Sequence, residues 1–247
     1  MKAAPDDQLR LLDLQGLDAA LDRLAHRRRT LPEIEQIDEL DAKVTQLAGD
    51  IVLVDTEDSD LGREQSKLEA DIDLVRSRMQ KDQQRLDAGQ VSSPRELENL
   101  QSEIESLKRR QGDLEDDELE IMEKRELVQS RLQELRDERE RLVVELSDAE
   151  QRRDVAFAEI DAEREKTTQQ RDELAATLPA DLLALYDKVR GSSAGVGAAA
   201  LHRGRCEGCH LQLNTTDLNR LREAPEDEVL RCEECRRILV RTAESGL

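Results

Sequence analysis

The chain has 247 residues, of which 39% are charged, 37% apolar and only 1% aromatic, against a usual apolar share of about 45–50%. One Tyr, one Phe and no Trp exclude an ordinary globular core for this length, because aromatic side chains normally supply much of the buried area. Disorder is excluded in turn, because Leu is abundant and regularly spaced while Pro and Gly number only 5 and 11, so the composition selects long helices.

The net charge of −20 is concentrated. Residues 6–177 carry 27 basic and 47 acidic side chains, a difference of −20, whereas residues 200–247 carry 8 and 9, a difference of −1. The acidic section repels phosphate backbones, which leaves only the C-terminal piece open to nucleic acid. No run approaches the roughly 18–20 apolar residues of a membrane span, and Met1 to Gln8 lacks the basic-then-apolar layout of a signal peptide. The expectation is a cytoplasmic protein with neither a membrane nor a small-molecule partner. Arg outnumbers Lys 30 to 8, which is compatible with a GC-rich bacterial genome.

The first arm carries apolar residues at Leu17, Leu21 and Leu24, then at Ile37, Leu40, Val44, Leu47, Ile51, Val54, Leu61, Leu68, Ile72, Val75, Met79 and Leu86. Pro32 falls in the gap and predicts a kink or break there. The segment 87–95 then holds stop and start signals in order: Gly89 suits the position after a helix, Ser93 an N-cap, Pro94 the first helical residue, and Glu96 closes a capping box. The second arm runs in one register through Leu97, Leu100, Ile104, Leu107, Leu114, Ile121, Val128, Leu132, Leu135, Leu142, Leu146 and Ala149. Spacings of 3, 4 and 7 predict a left-handed coiled coil.

Two arms of equal length, 6–88 and 95–177, joined by a turn predict an antiparallel hairpin whose paired residue numbers sum to about 183. That rule sets Asp58 opposite Arg125 as a register-setting ion pair. It leaves the seam residues Gln65, Glu118 and Arg139 without obvious partners, and it brings Arg27, Arg28 and Arg29 toward Arg152 and Arg153 as a basic patch. The tip residues Ser93, Arg95 and Glu96 are the candidates for partner binding.

Pro179 ends the second arm. Residues 181–189 read as a short amphipathic helix, with Tyr186 packing on the base and the Gly/Ser-rich stretch from Gly191 breaking it. Strands are predicted at 198–202, 211–213, 228–231 and 238–240, with a helical turn at 217–222. Two Cys-x-x-Cys pairs, Cys206 with Cys209 and Cys232 with Cys235, have the spacing of two zinc knuckles. Four thiolates complete a tetrahedral site with no open position, so one structural zinc ion is the expected cofactor. Gly208 reads as the permissive backbone position of its knuckle, Arg205 and Arg231 as charges offsetting the thiolates, and His202 and His210 as bystanders. Arg203, Arg205, Arg236, Arg237 and Arg241 are the candidates for nucleic-acid contact, although residues 200–247 hold no aromatic side chain for base stacking.

The predicted fold is mainly α: a long antiparallel coiled-coil hairpin over 1–178 with its tip near 87–95, a short helix and linker over 179–199, and a small β-rich zinc ribbon over 200–247. The stretch Ser92-Ser93-Pro94-Arg95-Glu96-Leu97 through Ile104, and Cys206–Cys209 with Cys232-Glu233-Glu234-Cys235-Arg236-Arg237-Ile238-Leu239-Val240, resemble the bacterial family that joins a coiled-coil hairpin to a four-cysteine zinc ribbon. Its members include a flagellar regulator that chaperones an alternative sigma factor and contacts a flagellin messenger RNA, and a chlamydial secretion-associated protein. Glu234 and Arg236 stand where that family commonly has Pro or Asn and Gly. The resemblance implies a non-enzymatic adaptor or chaperone-like scaffold for protein partners. The alternative is a regulatory protein binding RNA or DNA through the ribbon. No phosphate loop and no nucleophile–base arrangement argue for an enzyme.

Overall fold

The computed structural model describes residues 1–247 and is mainly helical. Its elements run α1 (Pro5–Arg29), α2 (Pro32–Asp87), α3 (Pro94–Ala175), α4 (Ala180–Ser192), β1 (Ala198–His202), β2 (Arg205–Cys206), α5 (Thr215–Glu223), β3 (Leu230–Arg231) and β4 (Ile238–Val240). Contacts divide the chain into two units, Met1–Ile34 with Gln151–Leu247, and Glu35–Glu150.

The unit Glu35–Glu150 is the helical hairpin. Leu40, Val54, Ile72, Leu100, Leu114, Ile121, Leu132 and Ala149 are its buried apolar residues, all on the predicted stripes. Interhelical ion pairs flank that seam: Arg85 with Glu96, Arg78 with Glu103, Asp58 with Arg125, Arg76 with Glu115 and Arg136 with Asp55. Their number sums run from 181 to 191, either side of the seam and bracketing the expected 183. Asp58 accepts from Arg125 Nε at 3.0 Å and from Gln129 at 2.9 Å. Gln65 does have a partner: its side-chain oxygen accepts from Arg125 Nη1 at 3.1 Å.

The tip is built as its sequence dictates. Gln90 N donates to Arg85 O and Gly89 N to Leu86 O, both at 3.1 Å, with Gly89 at φ 64°. This is the paired hydrogen-bond pattern of a Schellman stop, which needs a left-handed residue at Gly89. Glu96 N donates to Ser93 Oγ at 3.2 Å, while the Glu96 carboxylate accepts from the backbone and hydroxyl of Ser92. The return half of the capping box thus reaches one residue earlier than predicted. The Ser92 backbone bond, helped by its hydroxyl, holds the Glu96 carboxyl below its usual range.

The other unit joins the helical base to the ribbon. Pro32 does break the first arm: α1 stops at Arg29 and α2 begins at Pro32, since the residue before a proline is driven from helical geometry. The buried face of α1 is Gln8, Leu11, Leu14, Asp18 and Leu24, and Leu17 and Leu21 are only half-buried. The shift from the predicted stripe arises because α1 packs against β1 and β4 as well as other helices. Two of the five arginines of the predicted basic patch are engaged by neighbours. Arg28 pairs with Asp161 and stacks 4.0 Å over Phe157, and Arg153 pairs with Asp154. Helix α4 runs through Gly191 to Ser192, and the chain reverses only at Ala194 and Gly195, with φ 52° and 84°.

The ribbon sheet has the order β2-β1-β4-β3, with β1 and β4 parallel and both edge pairings antiparallel. Side chains alternate across it. Ala198, Ile238 and Val240 join Leu11, Leu14, Leu178, Leu182 and Tyr186 in one core. Ala199, Leu201 and Leu239 face a second with Cys206, Leu213, Leu221, Leu230 and Cys232. Both faces of β4 are covered, which explains its uninterrupted Ile-Leu-Val. The predicted strand 211–213 reduces to one bridge between Gln212 and Arg205, because Leu213 turns inward and Asn214 starts α5 by accepting from Asp217 N at 2.8 Å. The predicted strand 228–231 is shorter, and Glu228 bridges instead to Lys2.

Candidate metal centre

The β1–β2 hairpin turns through Arg203 and Gly204, with φ 47° and 76°, a two-residue turn in which both positions are left-handed. It delivers Cys206 to the sheet's inner face. In the first knuckle His210 N donates to Cys206 O at 2.7 Å, and in the second Arg236 N donates to Cys232 O at 2.9 Å. His210 and Arg236 hold the same left-handed conformation, φ 61° and 63°, so the two knuckles repeat one backbone design. Gly208 is required for space and not, as predicted, for conformational freedom. A Cβ there would lie 2.7 Å from Arg237 Cδ and 2.9 Å from Ala199 Cβ.

The four thiols converge. Cys206 and Cys235 Sγ lie 3.9 Å apart, as do Cys209 and Cys232 Sγ, and all four lie within 4.8 Å of one another. A tetrahedron with zinc–sulfur bonds of about 2.3 Å has edges of about 3.8 Å, so the donor set fits one zinc ion closed off by four thiolates. Burial pushes the Cys206 thiol up to about 12 and raises Cys232 as well. Burial also opposes the Cys235 thiolate, but hydrogen bonds led by the Arg237 amide hold this thiol below its usual range. Metal binding therefore displaces protons from the buried pair.

Arg205 and Arg231 do not face the thiolates. Arg205 pairs with Glu207 at 3.0 Å and Arg231 Nε donates to Arg236 O at 2.7 Å. Among the other nucleic-acid candidates, Arg237 donates to Gly208 O, Ser193 O and Val196 O, and Arg241 to Leu221 O, Ala224 O and Pro225 O. Arg236 is exposed and lies 3.6 Å from Glu233. Arg203 is exposed, and its guanidinium has no partner. At the tip, Ser93 and Glu96 are engaged in capping, while Arg95 is exposed without an ion pair.

A second cluster lies in the helical base. Asp18, 3% exposed, accepts from Tyr186 Oη at 2.7 Å and Arg171 Nε at 3.2 Å, with Arg190 Nε at 3.4 Å. Burial, reinforced by the hydrogen bond to Asp18, raises the Tyr186 hydroxyl far above its usual range. Beside it Gln15 accepts from Gly197 N at 2.6 Å and donates to Gly195 O at 3.1 Å. Sequence reasoning missed this cluster, because the predicted stripe of Leu17, Leu21 and Leu24 leaves Asp18 on a neighbouring face, and only the buried face with Leu11 and Leu14 includes it.

No helix is long and apolar enough to cross a membrane. Compared with known families, residues 14–194 match the CT398-like coiled coil hairpin domain and residues 205–239 the C4-type zinc ribbon domain. An uncharacterized protein of Mycobacterium tuberculosis is 37% identical over 241 residues, 98% of each chain. A solved Mycobacterium smegmatis structure superposes with TM-score 0.87 at 34% identity, covering 98% of this chain and 100% of that one. CT398 from Chlamydia trachomatis has the same fold, with TM-score 0.71 at 21% identity over 96% and 98% of the two chains. With its hairpin and its four-cysteine ribbon both matched, the chain belongs to the CT398-like family of coiled-coil hairpin proteins carrying a C4-type zinc ribbon.

Proposed function

We propose that this protein is a non-enzymatic adaptor or chaperone-like scaffold of the cytoplasm, binding protein partners through its coiled-coil hairpin and its ribbon. The observation that carries this reading is the set of large apolar side chains left outside the seam. Leu53, Leu74 and Leu127 are 70%, 69% and 73% exposed, and Val52, Leu119 and Val144 are exposed as well, on helices whose outer faces are mostly charged. Apolar side chains set among charges along the helices supply separate anchor points for a protein partner. Arg95 adds an unpaired cation at the tip, beside Leu97 at 39% exposure. The zinc, enclosed by four thiolates, supports the ribbon as a docking module and offers no position for a substrate.

The ribbon arginines favour protein over nucleic acid. Arg237 and Arg241 are committed to backbone carbonyls, and Arg205 and Arg236 stand beside glutamates. Photo-crosslinking residues placed at Leu53, Leu127 and Arg95 of the full chain test the reading in cells. The expected outcome is a discrete protein adduct, the same at each expression level, with a control at the buried Ile121 giving none. Absence of any adduct, together with salt-sensitive submicromolar RNA or DNA binding lost in an Arg203→Ala/Arg236→Ala variant, would replace it by the nucleic-acid reading.

A further inference from the structure

Arg237 follows Cys235 by two residues, and its guanidinium reaches three backbone carbonyls at once. Nη1 donates to Gly208 O inside the first knuckle at 2.8 Å, Nη2 to Ser193 O at 2.9 Å, and Nε to Val196 O at 3.2 Å. Its own carbonyl accepts from Cys232 N at 3.0 Å. One residue therefore touches both knuckles and the chain that leaves α4. The planar fork of Arg suits three acceptors fixed in different directions, a role Lys cannot reproduce.

The same departing chain is also held by α1. Gln15 of α1 holds Gly195 O and Gly197 N. Gly197 lies so close to Tyr186 that a Cβ there would be 2.7 Å from the ring, and the Tyr186 hydroxyl ends on Asp18. Knuckle, Arg237, linker, Gln15, Tyr186 and Asp18 form one continuous set of contacts. A ribbon of some 48 residues has too small a core to hold its knuckles without metal. When the first knuckle loosens, the Gly208 carbonyl leaves its place and Arg237 loses the anchor that aligns its other two bonds.

We propose that Arg237 is a positioning residue that couples zinc occupancy of the ribbon to order in the helical base. With the metal bound, the last turn of α4 and the linker to β1 are held. With the metal removed, residues 190–197 and the Gln15–Tyr186–Asp18 contacts loosen together. The coupling is reciprocal, so a change at Gln15, which touches no cysteine, alters zinc retention.

Hydrogen exchange of the full-length protein, zinc-loaded and after chelation, tests this. Peptides covering 180–197 are expected to exchange at least ~10-fold faster without zinc and to recover when zinc is restored, while peptides from 100–140 do not change. Arg237→Lys is expected to bind one zinc per chain yet to show fast exchange at 180–197 whether or not the metal is present. Unchanged exchange at 180–197 on chelation of the unaltered protein, with 206–235 deprotected, overturns the proposal. So does Arg237→Lys retaining the zinc-dependent protection. If that variant holds no zinc, Gln15→Ala decides: zinc transfer to a chromophoric chelator several-fold faster than in the unaltered protein supports the coupling, and an equal rate refutes it.

Discussion

The Tyr186 hydroxyl donates a 2.7 Å hydrogen bond to Asp18, joining the only tyrosine of the chain to the one carboxylate on the buried face of α1. Asp18 is tolerated there because Arg171 and Arg190 neutralise it, with side chains 24% and 27% exposed. Removing one member of a buried ion cluster strands the rest. Both arginines keep second partners, Asp187 and Asp22, so the loss falls below the roughly 3–5 kcal/mol of a charge left wholly unpaired. Asp18→Ala is expected to cost about 2–3 kcal/mol, and Tyr186→Phe about 1 kcal/mol, the worth of one hydrogen bond. Denaturant midpoints followed by a probe in α4 check both values. Equal, negligible losses would mean that the cluster is solvated.

Glu96 gives a pH signature at the tip. Its folded-state pKa is depressed from 4.5, chiefly by the Ser92 backbone hydrogen bond. A depressed carboxyl contributes stability that is fully present above its unfolded value and is lost as pH falls through its folded value. The first turn of α3 is therefore expected to fray below about pH 4.5 while the seam stays intact. Amide shifts of Ser92 and Glu96 followed through an acid titration report it. The same midpoint at Leu114, in the middle of α3, would assign the transition to the whole hairpin.

Asp58 and Arg125 set register more than they stabilise. The side chains are 22% and 35% exposed, so water screens much of their attraction. A double-mutant cycle with Asp58→Ala and Arg125→Ala is expected to give a coupling of about 0.5–1 kcal/mol. Direct hydrogen bonding to Arg125 holds the Asp58 carboxyl below its usual range, so this contribution too is lost as pH falls below the ordinary carboxylate range. A coupling above ~3 kcal/mol would show that the pair is desolvated and energetically central.

The hairpin was legible because its physics is one-dimensional. A heptad stripe, a Gly stop and a Ser-Pro start determine the pairing of Asp58 with Arg125 without knowledge of anything distant in the chain. The ligand set was legible for the same reason, since Cys-x-x-Cys spacing is local. What escaped sequence reading was the set of long-range contacts that neither a heptad stripe nor a motif spacing marks. Gln15 meets Gly197, Lys2 meets Glu228, and Arg237 meets Ser193, none of which leaves a periodic trace. Arg237 and Arg241 read as free cations because a sequence shows charge and not the carbonyls that absorb it. Asp18 escaped as well, because the stripe read from the sequence ran through Leu17 and Leu21 while the structure buries the face of Leu11, Leu14 and Asp18.

The two knuckles offer a test of stored backbone strain. Arg236 occupies φ 63°, where an L residue with a Cβ costs roughly 1–2 kcal/mol and glycine costs almost nothing. Its side chain returns little, because the Glu233 contact is exposed at 3.6 Å and Glu233 keeps Arg220 as a partner. Glycine also loses more entropy on folding, which offsets part of the relief. Arg236→Gly is expected to stabilise the zinc-loaded ribbon by about 0.5–1 kcal/mol, and His210→Gly, at φ 61°, by a similar amount. The denaturant concentration at which zinc is released to a chromophoric chelator measures it. If Arg236→Gly releases zinc earlier while His210→Gly releases it later, then the Arg236 side chain contributes to the ribbon beyond its conformation. Strain at that position is then retained for the guanidinium, and not because the knuckle tolerates it.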